Sequence, residues 1–281
     1  MSINQSNSAL FSLPHTLIMM ITLIGVFWCL QVIGLYVAAW LVFPYTHVLS
    51  FSQAIQLGSL NGTVTALSIC FVGVAMLCVS IGWVAWQRYV VTKKLLTVPH
   101  HSDDSVAMVD RVVEKADALT VPTIRQYLAI QGFNLSTAIG MLGVLLLFVF
   151  ASEGLTYYLG EDPTEFLRLI YDTAYPRWLI IFAMVVVAPI YEELMFRGLI
   201  WSALREQLSG IQGVWFASII SSVLFAVIHL QYGLYEISTI MVLAMIFCLA
   251  RVKSGSLLLP MLLHIINNGL AMWQFIAVNG Y

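Results

Sequence analysis

Three stretches of this 281-residue sequence carry residue types that can do acid–base chemistry at helical spacing. The first, APIYEELMFRG, sets Glu192 and Glu193 side by side, with Arg197 four residues after Glu193. On a helix that spacing lets Arg197 pair with Glu193. Glu192 is then rotated by about 100°, toward a different neighbour and without a local counter-charge. A carboxylate in apolar surroundings suits the work of a general base. The second stretch, SSVLFAVIHLQ, has Phe225 four residues before His229. The third, LPMLLHIINNG, has His264 four residues before Asn268, on the same helix face.

Each stretch also has a plainer reading. The first can be a structural Glu–Arg pair with a spare carboxylate at the water interface, and a membrane histidine is commonly an interhelical hydrogen-bonding group. However, ionisable groups within a span cost about 2.5 to 3.5 kcal/mol each on insertion scales, so those that remain need a partner, a wet cavity or a task. Only His229 and His264 of the six histidines fall in apolar runs, while His15, His47, His100 and His101 lie in terminal or loop segments. Carboxylates on one span and histidines on two others point to a convergent site.

The elements that must position these groups follow from composition. Hydrophobic residues make up 60% of the chain and charged residues only 9%, with a mean hydropathy of +0.92. Soluble domains carry about 25% charged residues, so lipid is part of this chain's solvent. The net charge of -2 leaves no basic stripe for phosphates, which excludes nucleic acid as a partner. Cys29, Cys70, Cys78 and Cys248 all sit in apolar runs without C-x-x-C spacing, and read as small buried hydrophobes. The first apolar run follows an N-terminus without Lys or Arg and is far longer than a secretory core, so it is expected to stay as a span.

A helix rising 1.5 Å per residue needs about 20 residues to cross about 30 Å of hydrocarbon. Seven runs qualify, at roughly 16–43, 62–86, 137–158, 178–200, 214–231, 234–250 and 256–277. The fold class is therefore all-α, a polytopic transmembrane helical bundle. Residues 1–136 read as two spans plus a long cytoplasmic loop, and 137–281 as a membrane core with its motifs in 178–275. Within the loop, 87–136, Ser102 can cap a surface helix running past Val106, Val109 and Val113. A second short helix is expected to start at Asp162 with Pro163 in its first turn. Glu153 and Glu236 read as interfacial residues, and Trp83, Trp86, Trp178 and Trp273 as belt anchors.

Loop charges set the orientation. Arg88, Lys93, Lys94, Arg111, Lys115, Arg125, Arg205, Arg251 and Lys253 fall on one side, against Arg168 and Arg177 on the other, which places the long loop in the cytoplasm. Depth then tests convergence. Glu192 and His229 are level only if the fourth helix continues through WSALREQLS, since each then lies about 24 to 27 Å along its helix from the intervening turn. His264 then meets them near 12 to 15 Å below the cytoplasmic face.

The three motifs E-E-x-x-x-R, F-x-x-x-H and H-x-x-x-N, here Glu192, Glu193 and Arg197, Phe225 and His229, His264 and Asn268, resemble those of the CAAX protease and bacteriocin-processing family of intramembrane endopeptidases. The run KSGSLLLPMLLHIINN is also similar to that family's last motif helix, and the resemblance covers about residues 178–275. It implies peptide-bond hydrolysis within a multi-pass membrane protein, a cell-membrane protein if the source is prokaryotic. Glu192 would activate a water with assistance from His229, His264 and Asn268 would hold the oxyanion, and Glu193 with Arg197 would orient them. The family is commonly labelled metalloprotease. Two histidines and a carboxylate would satisfy zinc, with His229 and His264 as ligands. Yet the H-E-x-x-H motif of common zinc proteases is absent, and a Glu–His dyad needs no metal. No cofactor is committed, and zinc stays an open alternative.

Two other functions share the residues. A proton-coupled transporter would use the carboxylates and histidines as a relay, although repeated halves are not visible. A catalytically inactive adaptor or immunity protein would keep the fold and bind partners through the long loop, but has no physical need of two buried histidines beside adjacent glutamates. The implied partner is a membrane-anchored or membrane-inserted peptide or protein, in a lipid bilayer.

Overall fold

The computed structural model describes residues 10–45, 49–96, 121–162 and 164–280, and among these the only regular elements are helices. Seven helices are long and apolar enough to cross a membrane. They are α1 (Leu13–Val42), α3 (Gly62–Leu96), α5 (Leu135–Leu159), α7 (Arg177–Arg205), α8 (Gly210–Val227), α9 (Leu234–Ser254) and α10 (Leu258–Asn279). Among the described residues three short helices accompany them: α2 (Phe51–Ser59), α4 (Ile124–Tyr127) and α6 (Glu165–Asp172). The expected span count and all-α class hold, and the protein is an integral membrane protein. The helix expected near Ser102 to Ala116 lies outside the described residues.

Local chemistry sets several boundaries. Helix α2, not expected from hydropathy, starts in a capping box in which the Ser50 hydroxyl and the Gln53 side chain satisfy each other's backbone N–H. Helix α6 starts at Glu165 and not at Asp162, because the Asp162 carboxylate accepts from both the Thr164 N–H and hydroxyl and so closes a turn before the helix. At the other end of that unit, Gly62 lets α3 start against α6, since an added Cβ would lie 1.7 Å from the Ile170 carbonyl oxygen.

Helix α7 is the axis of the bundle. It packs against α3, α8, α9 and α10, and Tyr191 to Leu204 are buried without interruption. A helix apolar all round must be enclosed by protein or lipid. For α7 the enclosure is protein, whereas α1 and α5 turn residues such as Ile21, Leu41, Leu147 and Phe150 outward. Lipid-facing surface is itself apolar, which is why only Cys248 among the cysteines is buried while Cys29 and Cys78 are exposed. Trp86, Trp178 and Trp273 are exposed as belt anchors would be, but Trp83 packs partly against the core.

The fourth span runs past Gly198 to Arg205, though not through the whole of WSALREQLS as the depth argument asks, and a short turn then leads into α8 at Gly210. Gly213 closes this hairpin, since an added Cβ would lie 2.1 Å from the Leu208 carbonyl oxygen. The same hairpin holds the start of the described chain: Glu206 Oε2 accepts the Phe11 N–H at 3.1 Å, and Gln207 Nε2 donates to the Phe11 carbonyl at 3.1 Å and to Thr16 Oγ1 at 3.0 Å. Phe11 is buried against Tyr127, with ring centroids 5.6 Å apart.

Burial raises the Glu206 carboxyl from its ordinary 4.5 to about 7, against the opposing effect of the backbone N–H groups of Phe11 and Leu10. The folded protein therefore binds this proton more tightly than the unfolded chain does. Its contribution is complete below about pH 4.5 and is lost as pH rises toward 7. Between pH 5 and 8 the thermal midpoint should fall more steeply in the natural protein than in Glu206→Gln; parallel curves in a melting series would refute the assignment.

Candidate active site

Two departures from regular α-helix in α7 shape the site. The segments Ala183–Val187 and Leu194–Ile200 are π-helical, on either side of the regular turn Ala188–Glu193. In the first, Ala188 donates five residues back to the Ala183 carbonyl. The next donor in that pattern would be Pro189, which has no N–H, so the Met184 carbonyl is left without its helical partner. Asn268 Nδ2 on α10 takes it at 3.0 Å. A proline in a helix thus creates the acceptor that fastens α10 to α7.

Glu193 and Arg197 pair as their spacing predicts, with Arg197 Nη1 3.0 Å from Glu193 Oε1 and both side chains fully buried. Arg197 Nη2 donates to the Ala244 carbonyl on α9 at 3.0 Å. The guanidinium also lies 4.4 Å from the Phe225 ring centroid and 5.4 Å from that of Phe247. Burying two charges costs several kcal/mol per ion, which only good geometry and further hydrogen bonds offset. Here the ion pair, the carbonyl and two aromatic faces share the task.

The same Glu193 Oε1 lies 2.9 Å from His264 Nδ1. A carboxylate oxygen already paired with Arg197 can only accept, so the ring proton sits on Nδ1. The opposite ring edge, Nε2, is 3.8 Å from Glu192 Oε2. Glu192 therefore does not turn to a different neighbour, as the 100° rotation suggested. Both carboxylates face one imidazole, because the ring is wide enough to present one nitrogen to each. A separation of 3.8 Å is too long for a direct hydrogen bond but lets both groups touch one water.

His229 is not inside a span. Helix α8 ends at Val227, and the turn from Ile228 to Gly233 follows. His229 Nδ1 bonds the Phe225 carbonyl at 2.8 Å, so the imidazole itself satisfies one of the acceptors orphaned at the helix end. A carbonyl only accepts, which places the proton on Nδ1 and leaves Nε2 with its lone pair. Phe225 ties the two histidines together: its ring centroid is 4.9 Å from that of His229 and 5.8 Å from that of His264. Tyr232 stacks on His229 at 6.3 Å. Burial, and then the charges of Glu192 and Glu236, push the Tyr232 phenol up, which puts this turn within electrostatic reach of Glu192.

Of the residues expected to carry chemistry, Glu192, Glu193, Arg197 and His264 thus meet directly. His229 joins them through Phe225 and Tyr232, and Asn268 sits one turn along α10 on the Met184 carbonyl. Sequence reasoning missed Phe247, which stacks on His264 at 4.8 Å, and the carbonyls of Ala244 and Met184. Pro189 was the available signal for Met184; a phenylalanine in an apolar span carries none. For zinc, three converging protein ligands are the usual need. Among the described residues no group of three His, Cys, Asp or Glu side chains is placed to hold a metal ion.

Residues 174–270 match the family model described as Type II CAAX prenyl endopeptidase Rce1-like. The chain is also similar to the "Uncharacterized 24.3 kDa protein" of Escherichia coli, at 32% identity over 99 residues, covering 34% of this chain and 45% of the relative. A further relative, "UPF0177 protein YbdI" of Lactococcus lactis subsp. lactis (strain IL1403), is 39% identical over 67 residues, covering 23% of this chain and 33% of the relative. The matches thus span less than half the length of either relative. No solved structure matches.

Replacing Arg197 by Leu strands the Glu193 carboxylate in the core and should cost about 3 to 5 kcal/mol. The paired change Glu193→Leu with Arg197→Leu should recover much of that loss, because it removes both charges together. Thermal denaturation of the purified variants in detergent measures this, and a single variant as stable as the natural protein would contradict the pairing.

Proposed function

We propose that this protein is an intramembrane endopeptidase that hydrolyses a peptide bond of a membrane-associated protein or peptide, with Glu192 activating the attacking water. The observation that carries this reading is the placement of one imidazole edge of His264 opposite Glu192 while its other edge is anchored on Glu193.

Glu192 accepts a proton from the water as its oxygen adds to the scissile carbonyl carbon. The carbonyl oxygen becomes an oxyanion, held by a hydrogen bond from the amide hydrogen that Asn268 has left after bonding Met184, while the Nε2 lone pair of His264 accepts from the attacking water and holds it against Glu192. Such donors are worth about 3 to 4 kcal/mol each in well-studied hydrolases. As the C–N bond breaks, the proton taken by Glu192 passes to the leaving nitrogen, with the Nε2 lone pair of His229 assisting the transfer. The products are a new carboxylate and a new amine. Glu193 and Arg197 are positioning residues, acting through His264. No step runs through a metal. The lysine and arginine distribution supports an active site facing the cytoplasm, in the cell membrane if the source is prokaryotic.

A transporter reading loses support from Arg197, which already neutralises one of the two carboxylates. Glu192→Ala, His229→Ala and His264→Ala should each lower cleavage of a membrane-linked reporter by at least a hundredfold while the protein still inserts at normal level. Undiminished cleavage by Glu192→Ala in proteoliposomes would end the hydrolase account, and solute uptake dependent on Glu192 would replace it.

A further inference from the structure

A crevice of about 200 Å³ lies between α5, α9 and α10, beside the site and not part of it. Three features make it unusual for a membrane bundle. First, it is lined in part by polar groups, Ser152 and Glu153 of α5, Thr239 of α9, and Asn267 and Gln274 of α10, where hydrocarbon contact would favour apolar ones. Second, its α10 wall continues the catalytic stripe: His264, Asn267, Ala271 and Gln274 follow at i, i+3, i+7 and i+10, one face of the helix. Its α9 wall does the same, since Leu243 precedes the Phe247 that stacks on His264 by one turn. Third, acceptor oxygens are left over. Asn267 Nδ2 donates to Asn268 Oδ1 at 3.3 Å and Gln274 Nε2 donates to Glu153 Oε2 at 2.8 Å, while the amide oxygens of Asn267 and Gln274 have no partner among the described residues.

From Asn267 to Gln274 the crevice runs about 10 Å along α10, the length of roughly three extended residues. A helix, about 10 to 12 Å across, does not fit in it. A segment unwound within hydrocarbon must find partners for every freed N–H and C=O, and unpaired acceptors along a groove match the N–H groups of an extended strand. We propose that this crevice seats the part of the substrate that runs from the scissile bond toward the end of the bundle where α5 and α10 finish. The substrate is then a membrane-spanning polypeptide, locally unwound, and not only a lipid-modified tail that ends near the site. Glu153 and Gln274 form the far end of the seat. This rests on the endopeptidase reading, and it selects a substrate class for the same site.

The test uses two probes on the full-length protein in liposomes: a single-span polypeptide with a glycine-rich stretch in its apolar run, and a prenylated C-terminal peptide with no segment beyond it. A photo-crosslinking residue in place of Ala271, in the Glu192→Ala background, should capture the spanning probe. The same residue at the lipid-facing Leu147 should not. Ala271→Trp, which fills the crevice, should lower the ratio of kcat/KM for the spanning probe to that for the prenylated peptide by at least tenfold, and Leu147→Trp should leave this ratio as it is. Equal losses on both probes would mean that the crevice conducts water, and would overturn the proposal, as would absence of the crosslink. Crosslinking without cleavage by the natural protein would keep the seat and refute the hydrolase reading instead.

Discussion

One oxygen atom organises this membrane core. Glu193 Oε1 accepts from Arg197 on its own helix and from His264 on α10, while Arg197 reaches on to the Ala244 carbonyl of α9. Three helices are therefore tied at one buried carboxylate. Charges at zero exposure depend on the partners they have, and Glu193 Oε2 and Arg197 Nε have none among the described residues, so displacing one helix unpairs a charge that has nothing else to turn to. Lipid offers no hydrophobic force to hold helices together, and polar contacts of this kind carry much of the specificity of assembly. The same coupling fixes the imidazole plane of His264, and with it the edge presented to Glu192.

The two π-helical segments of α7 serve this arrangement. Regular α-helix pairs each carbonyl with the N–H four residues on, and hides the backbone from its neighbours. Around Pro189 that pairing fails, and the freed Met184 carbonyl becomes the anchor for Asn268. A helix with a local defect can thus bond sideways to its neighbour, while remaining continuous enough to reach Arg205.

Much of this was legible in the residues. Hydropathy alone yields the seven spans, because length and apolarity are what a bilayer demands of a helix, and the i to i+4 rule yields the Glu193–Arg197 pair. What periodicity does not carry is the behaviour of helix ends and of unmarked apolar residues. His229 lies past the end of α8 because its own imidazole takes the Phe225 carbonyl, a tertiary choice that an apolar run cannot announce. Phe247 looks like any core residue until it is found between Arg197 and His264. Glu153, which reads as an interfacial residue, is exposed and also accepts from Gln274 across a crevice, a contact that local pattern does not show because its partner is 121 positions away in the chain.

A buried, oriented imidazole flanked by two carboxylates is common ground for every functional reading that the motifs allow, and only its proton position separates an oriented Nε2 edge from a passive hydrogen-bonded histidine. The most direct measurement is the nitrogen-15 spectrum of the histidine-labelled, full-length protein, with the His264 signals assigned by their loss in His264→Gln. The account predicts a proton on Nδ1 and a signal that moves in Glu193→Gln. A His264 ring protonated at Nε2 alone, or one indifferent to the loss of the Glu193 charge, would contradict it.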